Sequence, residues 1–270
     1  LVAFGLREPP RGRYDPPAGK EEAPPLAYVA ASLWKRPTTR HILIGLTLAV
    51  MIGNTGTSFL APYMIRRFDL SYSEVALLVG VANFLTAAIG MLAGGILTDR
   101  LGRRNIRWYM WIPVAGIIIA IPFNVGAYLQ DGALAMAAFL IPAGIVIPTY
   151  LAPSFATLHN LSQPRSRATV TAIAGICMGM IGAGMGPLMG GITIDLASEY
   201  LFAREGFADF LSACPGGLPG PGSTPAAAAL CEPILARATQ LALLGWAPVM
   251  VWPAFHFWLA SRSIRDEAMA

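Results

Sequence analysis

Charge is what this chain has least of. Of its 270 residues, 13% are Asp, Glu, Lys or Arg and 55% are hydrophobic, about half the charged share of an ordinary soluble domain. A solvated globular surface cannot be built over most of such a chain, and a mean hydropathy of +0.57 directs it to lipid. Three cysteines and three histidines, none at ligand spacing from another, make a zinc centre an unsupported expectation. There is no G-x-S-x-G elbow, no H-E-x-x-H helix and no pair of acids within an apolar run, which counts against a membrane-embedded enzyme. No cofactor is expected, nor a nucleic-acid partner. No Lys, Arg, Asp or Glu lies near the middle of any apolar run, so the carboxylate of any driving ion or proton is expected outside this sequence. The first residue is Leu1 rather than Met, and no basic region with an apolar core and cleavage site follows it,. Leu1–Leu6 reads as the end of a preceding transmembrane helix, so the sequence is expected to begin part-way through a longer protein.

What is present is a series of apolar runs long enough to cross a hydrocarbon core of about 30 Å. They are read at His41–Tyr63, Tyr72–Thr98, Trp108–Leu129, Gly132–His159, Ala168–Ile194 and Ala238–Leu259. Residues 7–40 read as a linker: six prolines between Pro9 and Pro25, mixed with charge, cannot bury a core,. Within it, Ala27–Lys35 suits a short amphipathic helix on the membrane surface, with Leu33 and Trp34 turned to lipid. Lys and Arg give the orientation. Seven precede the first run, four follow the second, two follow the fourth and two follow the last, while the alternate side holds Arg66, Arg67, Arg204 and Arg237. Fifteen against four places both ends on the cytoplasmic side,. The six-helix domain is then residues 41–260, with a cytoplasmic tail at 261–270 and an external loop at 196–237. That loop carries Cys214 and Cys231, a possible disulfide worth about 3 kcal/mol by loop entropy.

Side-chain patterning distinguishes the runs. Trp108 and Trp111 in the third, and Trp246, Trp252 and Trp258 in the sixth, suggest peripheral, lipid-facing helices. The fifth has a stripe of Gly182, Gly186 and Gly190, which suggests a tightly packed central helix; Gly90 and Gly94 form a shorter stripe in the second. Neutral polar residues at mid-depth are the candidate lining of a substrate cavity: Asn54, Thr57 and Ser58 in the first run, Asn83 in the second, and Tyr150 and Ser154 in the fourth. Helix–helix hydrogen bonding accounts for such residues equally well. Prolines 142, 148 and 153 interrupt the fourth run where transporters place hinges.

Between the second and third runs stands Gly95-Ile96-Leu97-Thr98-Asp99-Arg100-Leu101-Gly102-Arg103-Arg104. A connection this short and this charged must sit at a membrane face. Gly95 removes bulk where the helix leaves the bilayer, Gly102 is expected to take the positive φ of a sharp reversal, and Asp99 is placed to approach a helix N-terminus. The pattern G-x-L-x-D-R-x-G-R-R resembles the signature loop of the major facilitator superfamily of transporters. Pro164-Arg165-Ser166-Arg167 opening a glycine-rich helix with Gly186-Pro187 is a second likeness, and Leu6-Arg7-Glu8-Pro9-Pro10-Arg11-Gly12 resembles the spinster-like branch. The resemblance implies an all-α integral membrane protein: the C-terminal six-helix half of a twelve-helix major facilitator fold. It also implies alternating access, a gating role for Gly95, Asp99, Arg100, Gly102, Arg103 and Arg104, and the N-terminal six-helix half as partner. The substrate implied is a small amphiphile such as a lysolipid or sphingoid phosphate, and the location a bacterial inner membrane. A half-size homodimeric transporter or channel is the alternative reading.

Overall fold

The computed structural model describes residues 24–269, so the expected helix end at Leu1–Leu6 and the first half of the linker lie outside the described residues. Six helices are long and apolar enough to span a membrane. They follow a short helix α1 (Leu26–Lys35) and are α2 (Pro37–Phe68), α3 (Tyr72–Gly102), α4 (Trp108–Tyr128), α5 (Ala133–Asn160), α6 (Pro164–Arg204) and α7 (Pro225–Ala268). No strand occurs among the described residues.

All six spans sit where the hydropathy put them, but most are longer. α6 runs over 41 residues and α7 over 44, roughly 60 Å each at 1.5 Å per residue, twice the hydrocarbon thickness. The expected external loop 196–237 is therefore mostly helix, and its irregular part is confined to residues 205–224. The expected tail is also the end of α7. The fifth run ends at Ile194 by hydropathy, before Asp195, but once outside lipid a helix continues on ordinary propensity.

The glycine stripes locate the closest helix contacts. A side chain at Gly186 would run into the Met51 carbonyl, one at Gly182 into the Thr47 carbonyl, and one at Gly190 into the Phe59 ring. α6 thus lies directly on the α2 backbone, close enough for the Thr55 hydroxyl to donate to the Gly186 carbonyl at 2.7 Å. Gly90 and Gly94 do the same for α3 on α5, at Ile145 and Thr149. There α5 tightens to a single 3-10 turn at Ile147–Tyr150, just after Val146 and opened by Pro148, and Gly116 of α4 abuts the same Thr149. α3 and α6 each contain a wider π-helical stretch, Ala76–Val81 and Cys177–Ala183.

Two orientation expectations are corrected. α1 packs on α2 and on the start of α6 through Val29 and Leu33, so Leu33 is buried while Trp34 remains exposed. A helix this short gains more by docking on the bundle than by lying free on lipid. Tryptophan content also misplaced α7: half of its most apolar stretch is buried in the bundle, against 17% for the glycine-rich α6. Trp252 and Trp258 are exposed, but Trp246 points inward and donates to the Thr193 hydroxyl of α6 at 3.1 Å.

The end of the bundle opposite the start of α2 is tied down. Cys214 and Cys231 form a disulfide within an apolar cluster containing Phe202, Phe210 and Leu235. The Glu199 carboxylate accepts from the N–H groups of Phe210 and Leu211 at 3.0 and 3.1 Å, and Arg67 pairs with Asp131 at 2.8 Å. Thiol titration of these 270 residues, unfolded and unreduced, is expected to find one reactive group, Cys177, and three after reduction. The Cys214→Ser/Cys231→Ser double variant should lose about 3 kcal/mol of stability, read as an earlier thermal transition.

Candidate functional site

Two features share the bundle: a charged groove at the end where α2 begins and α7 finishes, and an uncharged cavity at mid-depth.

The groove is built from the ends of four helices. α3 delivers Asp99 and Arg103, the α5–α6 connection Asn160 and Gln163, the start of α2 its neighbour Arg36, and the end of α7 Glu267; together they enclose about 650 Å³. α3 remains helical through Gly102, and Arg103 beyond it is still right-handed. The expected positive φ at Gly102 is therefore not what the glycine is for. Its missing side chain admits the Tyr109 ring of α4: a Cβ there would stand 2.5 Å from Tyr109 Cε2. The turn is organised instead by Asn105, whose Oδ1 accepts from the Arg107 N–H at 3.1 Å, while Arg104 and Asn105 donate back to the Leu101 carbonyl. The sequence reading passed over Asn105, although an Asn just past a helix end is a recognised turn former.

Asp99 is exposed and makes no hydrogen bond or ion pair among the described residues, and Arg100, Arg103 and Arg104 are exposed around it. A side chain at Gly95 would meet nothing within 4 Å. One turn of α3 thus presents an open carboxylate beside an open, bulk-free backbone. The second acid of the groove is engaged: Glu267 accepts from the Thr38 N–H at the start of α2 at 2.8 Å, a carboxylate on a helix N-terminus,. Arg36 reaches across to donate to the Leu161 carbonyl.

The mid-depth cavity holds about 380 Å³. Asn54 and Thr57 of α2, Asn83 of α3 and Tyr150 of α5 line it, joined by Asn124 and Tyr128 of α4 and Trp246 of α7, and no charged residue is among its walls. Ser58 and Ser154 are not. Ser58 is exposed on α2, and Ser154 is fully buried, its hydroxyl without a partner. The reason is rotation. Ser58 stands one residue, about 100°, past Thr57, and Ser154 follows the α5 tightening that resets its face. Asn54 and Asn124 each donate to a carbonyl of their own helix, Val50 at 2.9 Å and Ala120 at 3.0 Å, which leaves both amide oxygens for a guest. Asn124 was legible as a polar residue in an apolar run. Trp246 was not, because an indole at that position has the composition of a lipid belt. No group of three or more His, Cys, Asp or Glu suited to a metal ion occurs among the described residues.

Such a bundle, six apolar crossings with charge confined to its ends, defines an integral membrane protein. The Major Facilitator Superfamily pattern matches residues 1–187, and the chain belongs to that family. A curated relative, an MFS-type efflux pump of Mycolicibacterium smegmatis, is 28% identical over 173 residues, 64% of this chain and 40% of the relative. Two solved structures of a bacterial homologue of the human lysosomal transporter Spinster share the fold at 24% identity. The inward-facing unoccupied form has a TM-score of 0.81, covering 97% of this chain and 55% of that one. The inward-facing occupied form has a TM-score of 0.76, covering 98% and 55%. The chain thus spans about half the length of the proteins it matches, as a six-helix half of such a fold would.

Gly102→Leu is expected to displace the α3–α4 turn and lower the melting temperature, an overpacking cost of about 1–3 kcal/mol. Removing the ring as well, in Gly102→Leu/Tyr109→Ala, should recover part of that loss. Additive losses would place the constraint elsewhere.

Proposed function

We propose that this chain is the C-terminal six-helix half of a twelve-helix secondary transporter of a bacterial inner membrane, with residues 7–40 as the cytoplasmic linker from the N-terminal half and both ends cytoplasmic. The observation that carries the reading is Asp99: a solvent-facing, unpaired carboxylate beside the open backbone of Gly95, on the face where the basic loops converge. A helix N-terminus from the other half fits that place, because its free N–H groups and dipole favour an anion. Docked there, it closes the cytoplasmic side; released, it lets the two halves rock apart around a central cavity. Arg100, Arg103 and Arg104 hold the loop at the headgroups and balance the acid when it is undocked.

The substrate is a small amphiphile such as a lysolipid or a sphingoid phosphate. The cavity walls support an amphiphile: they are mostly apolar, with a few amides and phenols and no charge. A phosphate would therefore be met by cations of the other half, leaving the chain and hydroxyl or amide groups to Asn54, Thr57, Asn83 and Tyr150. The mycobacterial relative is an efflux pump, which supports outward movement of such a compound.

A carboxylate at a helix N-terminus contributes about 1–2 kcal/mol in a partly buried setting, enough to shift a two-state equilibrium roughly tenfold. Asp99→Asn in the intact protein, reconstituted in liposomes, should therefore slow lysolipid transport about tenfold or more with normal membrane insertion. Unchanged transport would overturn the latch. Asn54→Leu tests the cavity separately: it should raise the apparent KM for a lysolipid and leave insertion unaffected.

A further inference from the structure

His41 and His256 are 215 residues apart in sequence, yet the fold brings their Nδ1 atoms to 3.0 Å, with the rings tilted by 40° and their centroids 5.2 Å apart. The pair takes no part in the cavity or the Asp99 groove. It is held between two anchors. On one side the Thr38 hydroxyl meets that of Ser263 at 2.8 Å and the Thr38 N–H donates to Glu267. On the other, Gly45 sits against the Phe257 ring, where even a Cβ would come within 3.2 Å. These contacts hold α2 against α7 on either side of the pair, with the Nδ1 atoms of the two imidazoles turned toward one another. Both are half-exposed at the edge of the bundle, beside exposed Phe255 and Trp258. His41 lies one turn into α2, roughly 6 Å from Pro37 along the helix,.

We propose that His41 and His256 bind one divalent transition-metal ion of the Zn²⁺ type, clasping α2 to α7 at the inner membrane surface. Zinc–nitrogen bonds are about 2.0–2.1 Å, which puts neighbouring ligand nitrogens roughly 2.9–3.4 Å apart. The imidazole pair already stands within that range. The ion takes the Nδ1 lone pair of each neutral ring in place of their mutual hydrogen bond; the ring that donated that bond moves its proton from Nδ1 to Nε2 through water, and the ring that accepted it already carries its proton on Nε2. With no third His, Cys, Asp or Glu close by among the described residues, the remaining positions fall to water or to a lipid phosphate, which the neighbouring Arg40 also attracts. Hard cations such as Mg²⁺ prefer oxygen ligands and are not held.

The test is thermal unfolding of the intact protein in detergent, any oligohistidine tag removed, with ZnCl₂ or MgCl₂. Zn²⁺ at a hundredfold excess over its Kd should raise the melting temperature by about 5 °C, at one ion per chain by mass spectrometry of the native protein. Mg²⁺ should not. His41→Gln and His256→Gln should each abolish the shift while melting within a few degrees of the parent. No Zn²⁺ response in the parent, or a response retained in either variant, overturns the site. Because transport is not the readout, failure here leaves the Asp99 reading intact, and failure of that reading leaves this one intact.

Discussion

The contact on which the bundle depends is the direct approach of two backbones, α6 on α2, without intervening side chains. In lipid there is no hydrophobic gain in pressing one apolar helix against another, so association relies on close van der Waals packing and the few hydrogen bonds that closeness permits. Gly182, Gly186 and Gly190 supply the closeness, and the Thr55 hydroxyl on the Gly186 carbonyl is the bond it allows. Gly90, Gly94 and Gly116 repeat the device around the tightened turn of α5. The two sets together fix α2, α3, α4, α5 and α6, with α7 laid along α2, and so set the size of the cavity between them.

That packing uses only one side of α6. Gly175 and Gly179 have no neighbour within 4 Å, and Ile176, Met180 and Ile181 are exposed. The same helix is thus smooth where it meets its own bundle and rough where it faces away. The π-helical stretch Cys177–Ala183 falls at the changeover, and a wide turn re-aims side chains without ending a helix.

How far the sequence predicted this can be judged from particular residues. The six crossings were legible because long apolar runs between charged turns have few alternatives. The glycine stripe of α6 correctly indicated a close contact, since a period of four needs no tertiary knowledge, but it could not say that α2 was the partner. The disulfide was legible from two cysteines in one polar stretch. Rotation was not. Ser58 and Ser154 were grouped with the cavity residues by ideal spacing, and the irregular turn of α5 defeats such spacing. Gly102 shows a different limit: its importance was visible, but two physical reasons for a glycine, positive φ and lack of bulk, leave the same letter. The meeting of His41 with His256 had no local signal, because nothing in either apolar run names the other.

The two ends of the bundle are built differently, and the difference lies in how their charges are paired. The end bearing the disulfide is closed upon itself by a covalent bridge, the Glu199 cap and the Arg67–Asp131 pair. At the other end Glu267 and Thr38 stitch α7 to α2, yet Asp99 and three arginines of the α3–α4 turn remain exposed around an open groove. A charge without a partner is tolerated there because water reaches it, and it gains interaction energy only when another element arrives. An interface of fully paired charges would have to break them to open. One that offers an uncommitted carboxylate can form a contact with a helix N-terminus worth about 1–2 kcal/mol, small enough for that contact to be made and released without breaking a paired charge.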